Sequence, residues 1–94
     1  MVHNAVERVC QLLGNVSSAE IMSKKREFRI ATARQLVMWY LYEVCGMSYP
    51  DIGRAMGKTH ATILYGVRQA NIMINSGRKY DRKFREAAEK LRVA

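Results

Sequence analysis

Ninety-four residues, 49% of them apolar and 26% charged, have the balance of one small folded domain and exclude a disordered chain. Sixteen Lys and Arg against eight Asp and Glu leave a net charge of +8, which draws the chain towards polyanions, with nucleic acid and anionic membrane as the obvious classes of partner. No apolar run reaches the ~18 residues a membrane span needs, the N-terminus lacks a signal-peptide pattern, and Cys10 and Cys45 sit in helical apolar patterns as reduced core residues; a cytoplasmic protein is expected.

In chain order, Ala5, Val6, Val9, Cys10, Leu12 and Leu13 recur at helical spacing over residues 3–13, with Gly14 and Asn15 as the stop. A brief segment, Val16 to Met22, follows, in which Ser17 or Ser18 caps a helical turn that carries Ile21 and Met22 into the core. Next comes Ser23-Lys24-Lys25-Arg26-Glu27-Phe28-Arg29, where four cations against one Glu leave a local charge of +3. Two readings fit this run: a solvated surface, or a loop that binds phosphates and sets an Arg in a minor groove. From Phe28 to Cys45 the pattern predicts the longest helix, about 27 Å at 1.5 Å per residue, ended by Gly46. Its inward stripe is Ile30, Ala33, Val37, Tyr40, Leu41 and Val44. Leu36 to Tyr42 is apolar almost all round, so the second half should be central, with Trp39, Tyr40 and Tyr42 in or at the edge of the core.

Residues 48–66 read as a helix-turn-helix. Ser48 and Asp51 have the spacing of a capping box, Pro50 falls in the first turn, and Tyr49, Ile52 and Met56 recur at helical spacing before Gly57 ends a short helix. Thr59 caps a second helix whose apolar stripe is Ile63, Val67, Ala70 and Ile74, leaving Ala61, Thr62, Tyr65, Arg68 and Gln69 on the opposite side. A polar and basic face at the start of a helix set across a shorter one suits a DNA major groove; a structural helical hairpin with a solvated face has the same pattern. After Ser76 and Gly77, residues 80–92 form a last helix with Phe84, Ala87, Ala88 and Leu91 inward. Arg78, Lys79, Arg82, Lys83 and Arg85 crowd its start, where cations oppose the helix dipole, and either a DNA backbone or a solvated tail accounts for them. The fold class is all-α, with five or six helices in a single domain over residues 1–94.

Taken together, Ser23-Lys24-Lys25-Arg26, Ala33-Arg34-Gln35, Ser48-Tyr49-Pro50-Asp51-Ile52-Gly53 and Met56-Gly57-Lys58-Thr59-His60-Ala61-Thr62-Ile63-Leu64 resemble the C-terminal DNA-binding domain of the bacterial replication initiator DnaA, over nearly the whole chain. The resemblance implies a Trp-repressor-like helix-turn-helix fold and binding to double-stranded DNA in replication initiation or transcriptional regulation, in the cytoplasm at the nucleoid. Carried over by position, it makes Arg26, in the basic loop with Lys24 and Lys25, the minor-groove arginine. Arg34, Lys58 and Thr62 become phosphate ligands, and Thr59, His60 and Ala61 face the bases, with Tyr65 and Arg68 further along the same face. The family usually has Asp before the His and Thr after it, and one residue more in the turn before Lys58. Thr59 offers no carboxylate to a cytosine amino group and Ala61 only a methyl, so recognition of the family's DNA box is weakened.

The expected part is a reading head without the family's ATPase module. Gly53 to Thr59, Gly-x-x-x-Gly-Lys-Thr, is one residue short of a phosphate-binding loop and lies between helices, so no ATP and no cofactor is expected. An enzyme is not expected either: His3 and His60 are the only histidines, neither cysteine has metal-ligand spacing to them, and the carboxylates are scattered. The alternative function is a protein-interaction module that kept the fold and lost specific DNA binding, its positive charge serving an acidic partner in replication or transcription.

Overall fold

The structure, a computed structural model, describes residues 1–93 and contains six α-helices and no strand among them. They are α1 (Val2–Leu13), α2 (Ser18–Met22), α3 (Phe28–Trp39), α4 (Tyr49–Met56), α5 (His60–Asn75) and α6 (Arg82–Arg92). The expectation of an all-α fold with five or six helices is therefore met. Helix α3 runs through the middle of the molecule and is covered by α1, α2 and α5, with α6 closing over α1 and α5. One apolar cluster takes residues from every helix, including Val9, Ile21, Trp39, Ile52, Ile63 and Leu91. Burial of large side chains from all six helices is the main source of stability, since a five-residue helix such as α2 has almost none of its own.

Local signals in the sequence account for most boundaries. Gly14 ends α1 in the left-handed region, and Ser17 forms a full capping box with Glu20: its hydroxyl accepts from the Glu20 amide and the Glu20 carboxylate accepts from the Ser17 amide. Glu20 also holds the Arg29 guanidinium in a two-pronged pair, at 2.9 and 2.7 Å, which ties α2 to the start of α3. Only Ile21 of α2 reaches the core; Met22 points out, contrary to expectation, because a helix of little more than one turn can bury a single narrow face.

The last turn of the long helix departs from the expected pattern. Residues Tyr40–Val44 are wound as a π-helix, closed by the Cys45 amide on the Tyr40 carbonyl at 3.1 Å and the Met47 amide on the Leu41 carbonyl at 3.0 Å. Wider winding breaks the 3.6-residue phase, so Val44, the last member of the expected stripe, turns outward. The same turn carries Tyr42, whose ring stacks on Tyr49 of α4 with centroids 4.3 Å apart. Trp39 is fully buried and donates its indole N–H to Asn71 Oδ1 on α5 at 3.1 Å, which fits the core reading.

Ser48 caps α4 as expected by accepting from the Asp51 amide at 3.2 Å. The other half of that box is absent, because the Asp51 carboxylate pairs with Arg54 instead. In α5, Met73 takes the buried place at the end of the stripe and Ile74 packs at the core edge. A 3-10 turn, Lys79–Asp81, leads into α6, whose inward residues Phe84, Ala87, Ala88 and Leu91 are those expected.

Candidate nucleic-acid interface

The turn between α4 and α5 depends on two glycines. Gly57 closes α4 with φ 69°, a conformation side-chain-bearing residues rarely adopt. Gly53, inside α4, lies so close to the turn that a Cβ there would sit 2.6 Å from the Lys58 carbonyl oxygen, a backbone atom that cannot move aside. The Lys58 amide closes the turn on the Gly53 carbonyl at 2.8 Å. Gly53 to Thr59 is thus helix and turn, with no preceding strand among the described residues.

This turn sends the start of α5 outward. Thr59, His60, Ala61 and Thr62 are all exposed, followed one and two turns later by exposed Tyr65 and Arg68. The positive end of the helix dipole therefore faces solvent together with His60 and Lys58, a setting that favours anions. The Thr59 hydroxyl is engaged: it caps α5 on the Thr62 amide at 3.2 Å and lies 3.0 Å from the Thr62 hydroxyl. It can serve the helix or a base edge, and in this structure it serves the helix.

Lys24, Lys25 and Arg26 are exposed and make no ion pair among the described residues. An open cleft of about 280 Å³ separates this loop from α5, and its lining includes Arg26, Gln35, Lys58, Thr62 and Tyr65. Cationic loop and helix start are thus two sides of one surface feature. Gln35, part of the Ala33-Arg34-Gln35 block but given no role by the resemblance, also lines the cleft.

Arg34, which the resemblance makes a phosphate ligand, is largely engaged within the molecule. Only 8% exposed, it donates from Nε to the Ile21 carbonyl (2.7 Å), from Nη1 to Lys25 (3.1 Å), and from Nη2 to Glu20 (3.1 Å) and Ser23 (2.7 Å). Four of its five N–H groups are therefore spent on backbone carbonyls. Burial pushes its pKa below the usual guanidinium value, with no consequence for charge near neutrality. Arg34 caps α2 and pins the first half of the basic loop, and it also lines the cleft beside Arg26 and Lys58.

The basic stretch before α6 is also largely committed. Arg78 donates to the Asp81 carboxylate from Nε and Nη2, each at 2.8 Å, while Ser76 donates to the same oxygen at 2.7 Å. Arg85 donates to the Arg78 carbonyl at 2.7 Å, and Arg82 pairs with Glu86 at 3.3 Å. Asp81 is 1% exposed, and the Ser76 hydroxyl first and the Arg78 guanidinium next hold its pKa below the ordinary carboxylate value. Three of the five cations that crowd this helix start thus have partners within the molecule. No three His, Cys, Asp or Glu side chains come together as a metal site among the described residues, and no helix there is long and apolar enough to cross a membrane.

Comparison with known proteins agrees with this geometry. The family described as "Bacterial dnaA protein helix-turn-helix" matches residues 2–70, from α1 through most of α5. The chromosomal replication initiator protein DnaA of Dechloromonas aromatica (strain RCB) is 43% identical over 54 residues, 56% of this chain and 12% of that protein. The DnaA of Ralstonia nicotianae (strain ATCC BAA-1114 / GMI1000) is 35% identical over 65 residues, 68% of this chain and 12% of that protein. The DnaA of Thermoanaerobacter sp. (strain X514) is 28% identical over 86 residues, 92% of this chain and 19% of that protein. The chain therefore spans less than a fifth of the length of these relatives. With the capped turn, the outward α5 start and the basic loop all inside the matched span, the chain belongs to the bacterial DnaA helix-turn-helix family.

Proposed function

We propose that residues 1–94 form one DNA-binding domain that docks the start of α5 in the major groove of a duplex and directs the basic loop to the adjacent minor groove or backbone. The observation that carries this reading is the shared cleft, with Arg26 on one side and Lys58, Thr62 and Tyr65 on the other. Lys24, Lys25, Lys58, Thr62 and Arg68 supply phosphate contacts, and Arg26 enters the minor groove. His60 carries most of the base reading, because the Thr59 hydroxyl is occupied by its capping role and Ala61 offers only a methyl. The role served is replication initiation or transcriptional regulation at the nucleoid, by binding and not by catalysis or ATP hydrolysis.

Reduced base contact favours a domain of modest sequence preference. Selection of duplexes from a random pool tests affinity and preference together. His60→Ala should flatten whatever preference emerges, by about 1–3 kcal/mol at one base pair, whereas Lys58→Ala should weaken all sequences alike. If Lys58→Ala changes the preferred sequence and His60→Ala does not, the roles are reversed; if no duplex is enriched or retained, the reading fails.

A further inference from the structure

Exposed large apolar side chains are few, and half of them are gathered in one place. Of the eight among the described residues, Phe28 (70% exposed), Tyr65 (60%), Ile72 (56%) and Tyr80 (71%) surround one hollow of about 320 Å³ between the start of α3, the outer face of α5 and the joint before α6. A second hollow of about 190 Å³ adjoins it, sharing Phe28, Thr32, Met73 and Tyr80 and reaching Leu13 and Phe84. A contiguous apolar recess of this kind on a small basic domain marks an interaction surface, since scattered single residues would need no such explanation.

We propose that this recess docks an acidic amphipathic segment of a partner protein. Its deeper parts, Leu13, Met73 and Phe84, are aliphatic, sulfur-bearing or aromatic, and Met adapts to apolar side chains of differing shape. Phe28 and Tyr80 provide exposed aromatic anchors beside them, the residue types that dominate binding energy at interfaces. No Asp or Glu lines either hollow, whereas Arg29, Arg78 and Lys83 do. Arg78 lies over the Tyr80 ring, 4.8 Å from its centroid, which holds cation and anchor side by side. The charge distribution favours a carboxylate-bearing peptide over a nucleic-acid strand. Arg29 is paired with Glu20 and Arg78 with Asp81, so Lys83 is the lining cation left to orient a carboxylate at the edge of the apolar groove, too little for a run of phosphates.

The test uses the full chain and three probes: a 15-residue peptide with Leu and Phe at i, i+4 and i+7 and Glu elsewhere, the same peptide with Lys for Glu, and a 15-nucleotide oligo-dT strand. In two-dimensional amide NMR the acidic peptide should saturate in the micromolar range and move the Phe28, Ile72 and Tyr80 signals, while the Lys peptide does not. Ile72→Ser combined with Tyr80→Ser, both exposed and therefore compatible with the fold, should weaken the acidic peptide about tenfold or more and leave duplex affinity within about twofold. Lys83→Glu should weaken the same peptide severalfold with the apolar recess untouched. The proposal is overturned if the acidic peptide does not saturate, if it binds both variants as it binds the parent, or if oligo-dT saturates the same amides more tightly than the peptide does.

Discussion

Two basic stretches, one before α3 and one before α6, look alike in sequence and differ in what their charges do. Lys24, Lys25 and Arg26 stand exposed without an acidic partner, while Arg78, Arg82 and Arg85 are bound to Asp81, to Glu86 and to the Arg78 carbonyl. Arg78, locked on the buried Asp81, has little left for a polyanion, because redirecting it to a phosphate would break existing bonds. What matters for binding is unspent charge, and Lys24, Lys25 and Arg26 keep theirs next to the start of α5. Arg34 carries the same lesson within a single motif: it sits eight residues from Arg26, yet its guanidinium faces the inside of the loop that Arg26 faces out from.

The largest effect is expected at the first stretch. Replacing Lys24, Lys25 and Arg26 together by Ala should cost on the order of a hundredfold in duplex affinity at ~100 mM salt with thermal stability little changed, as read by fluorescence anisotropy and circular dichroism. Arg34→Lys comes next. An ammonium cannot reach four carbonyls from one fork, so Tm should fall and affinity should drop about tenfold through a loosened loop. If Arg34→Lys lowers affinity with Tm unchanged, Arg34 is a ligand and not a positioning residue. Arg78→Ala should do the opposite of the loop variant: it strips Asp81 of a partner, so Tm falls while duplex affinity stays within about twofold.

The smallest expected effect is on pH. Hydrogen bonding from Arg29 first, and from the Ser17 amide next, holds Glu20 down at about 2 instead of 4.5. A depressed carboxylate contributes stability that is complete above its unfolded pKa and is lost as pH falls through the folded one, so Tm should decline in acid from pH 4.5 towards 2. Glu20→Gln should lower Tm at neutral pH and flatten that decline, and a parent whose Tm holds steady over the same window would contradict the assignment.

Much of the fold could be read in advance, because the caps and stops are local. Gly14, Ser17, Ser48, Gly57 and Thr59 act within three or four residues of themselves, and the 3.6-residue spacing of Phe84, Ala87, Ala88 and Leu91 needs no tertiary information. The π-wound turn at Tyr40–Val44 was not legible, since the Tyr42–Tyr49 stack beside it joins two helices. The functional face divides in the same way. The outward start of α5 follows from periodicity, and the exposure of the Lys24–Arg26 run from its charge. Which arginine is spent and which is free depends on carbonyls from α2 and the loop, which no spacing along α3 reveals. The committed cations before α6 were hidden for a related reason: Asp81 looks like any helix-start acid until Ser76 and Arg78 close over it.

Salt dependence of duplex binding, measured side by side for the parent and the Lys24/Lys25/Arg26→Ala variant, decides whether the basic loop and the start of α5 hold one duplex. With ~4–6 phosphate contacts the parent should show a slope of log K against log salt of about −4 to −5, and the variant a slope shallower by about 2–3. A flat line for the parent, or one steep slope common to both proteins, would mean that the loop and the start of α5 do not share a duplex.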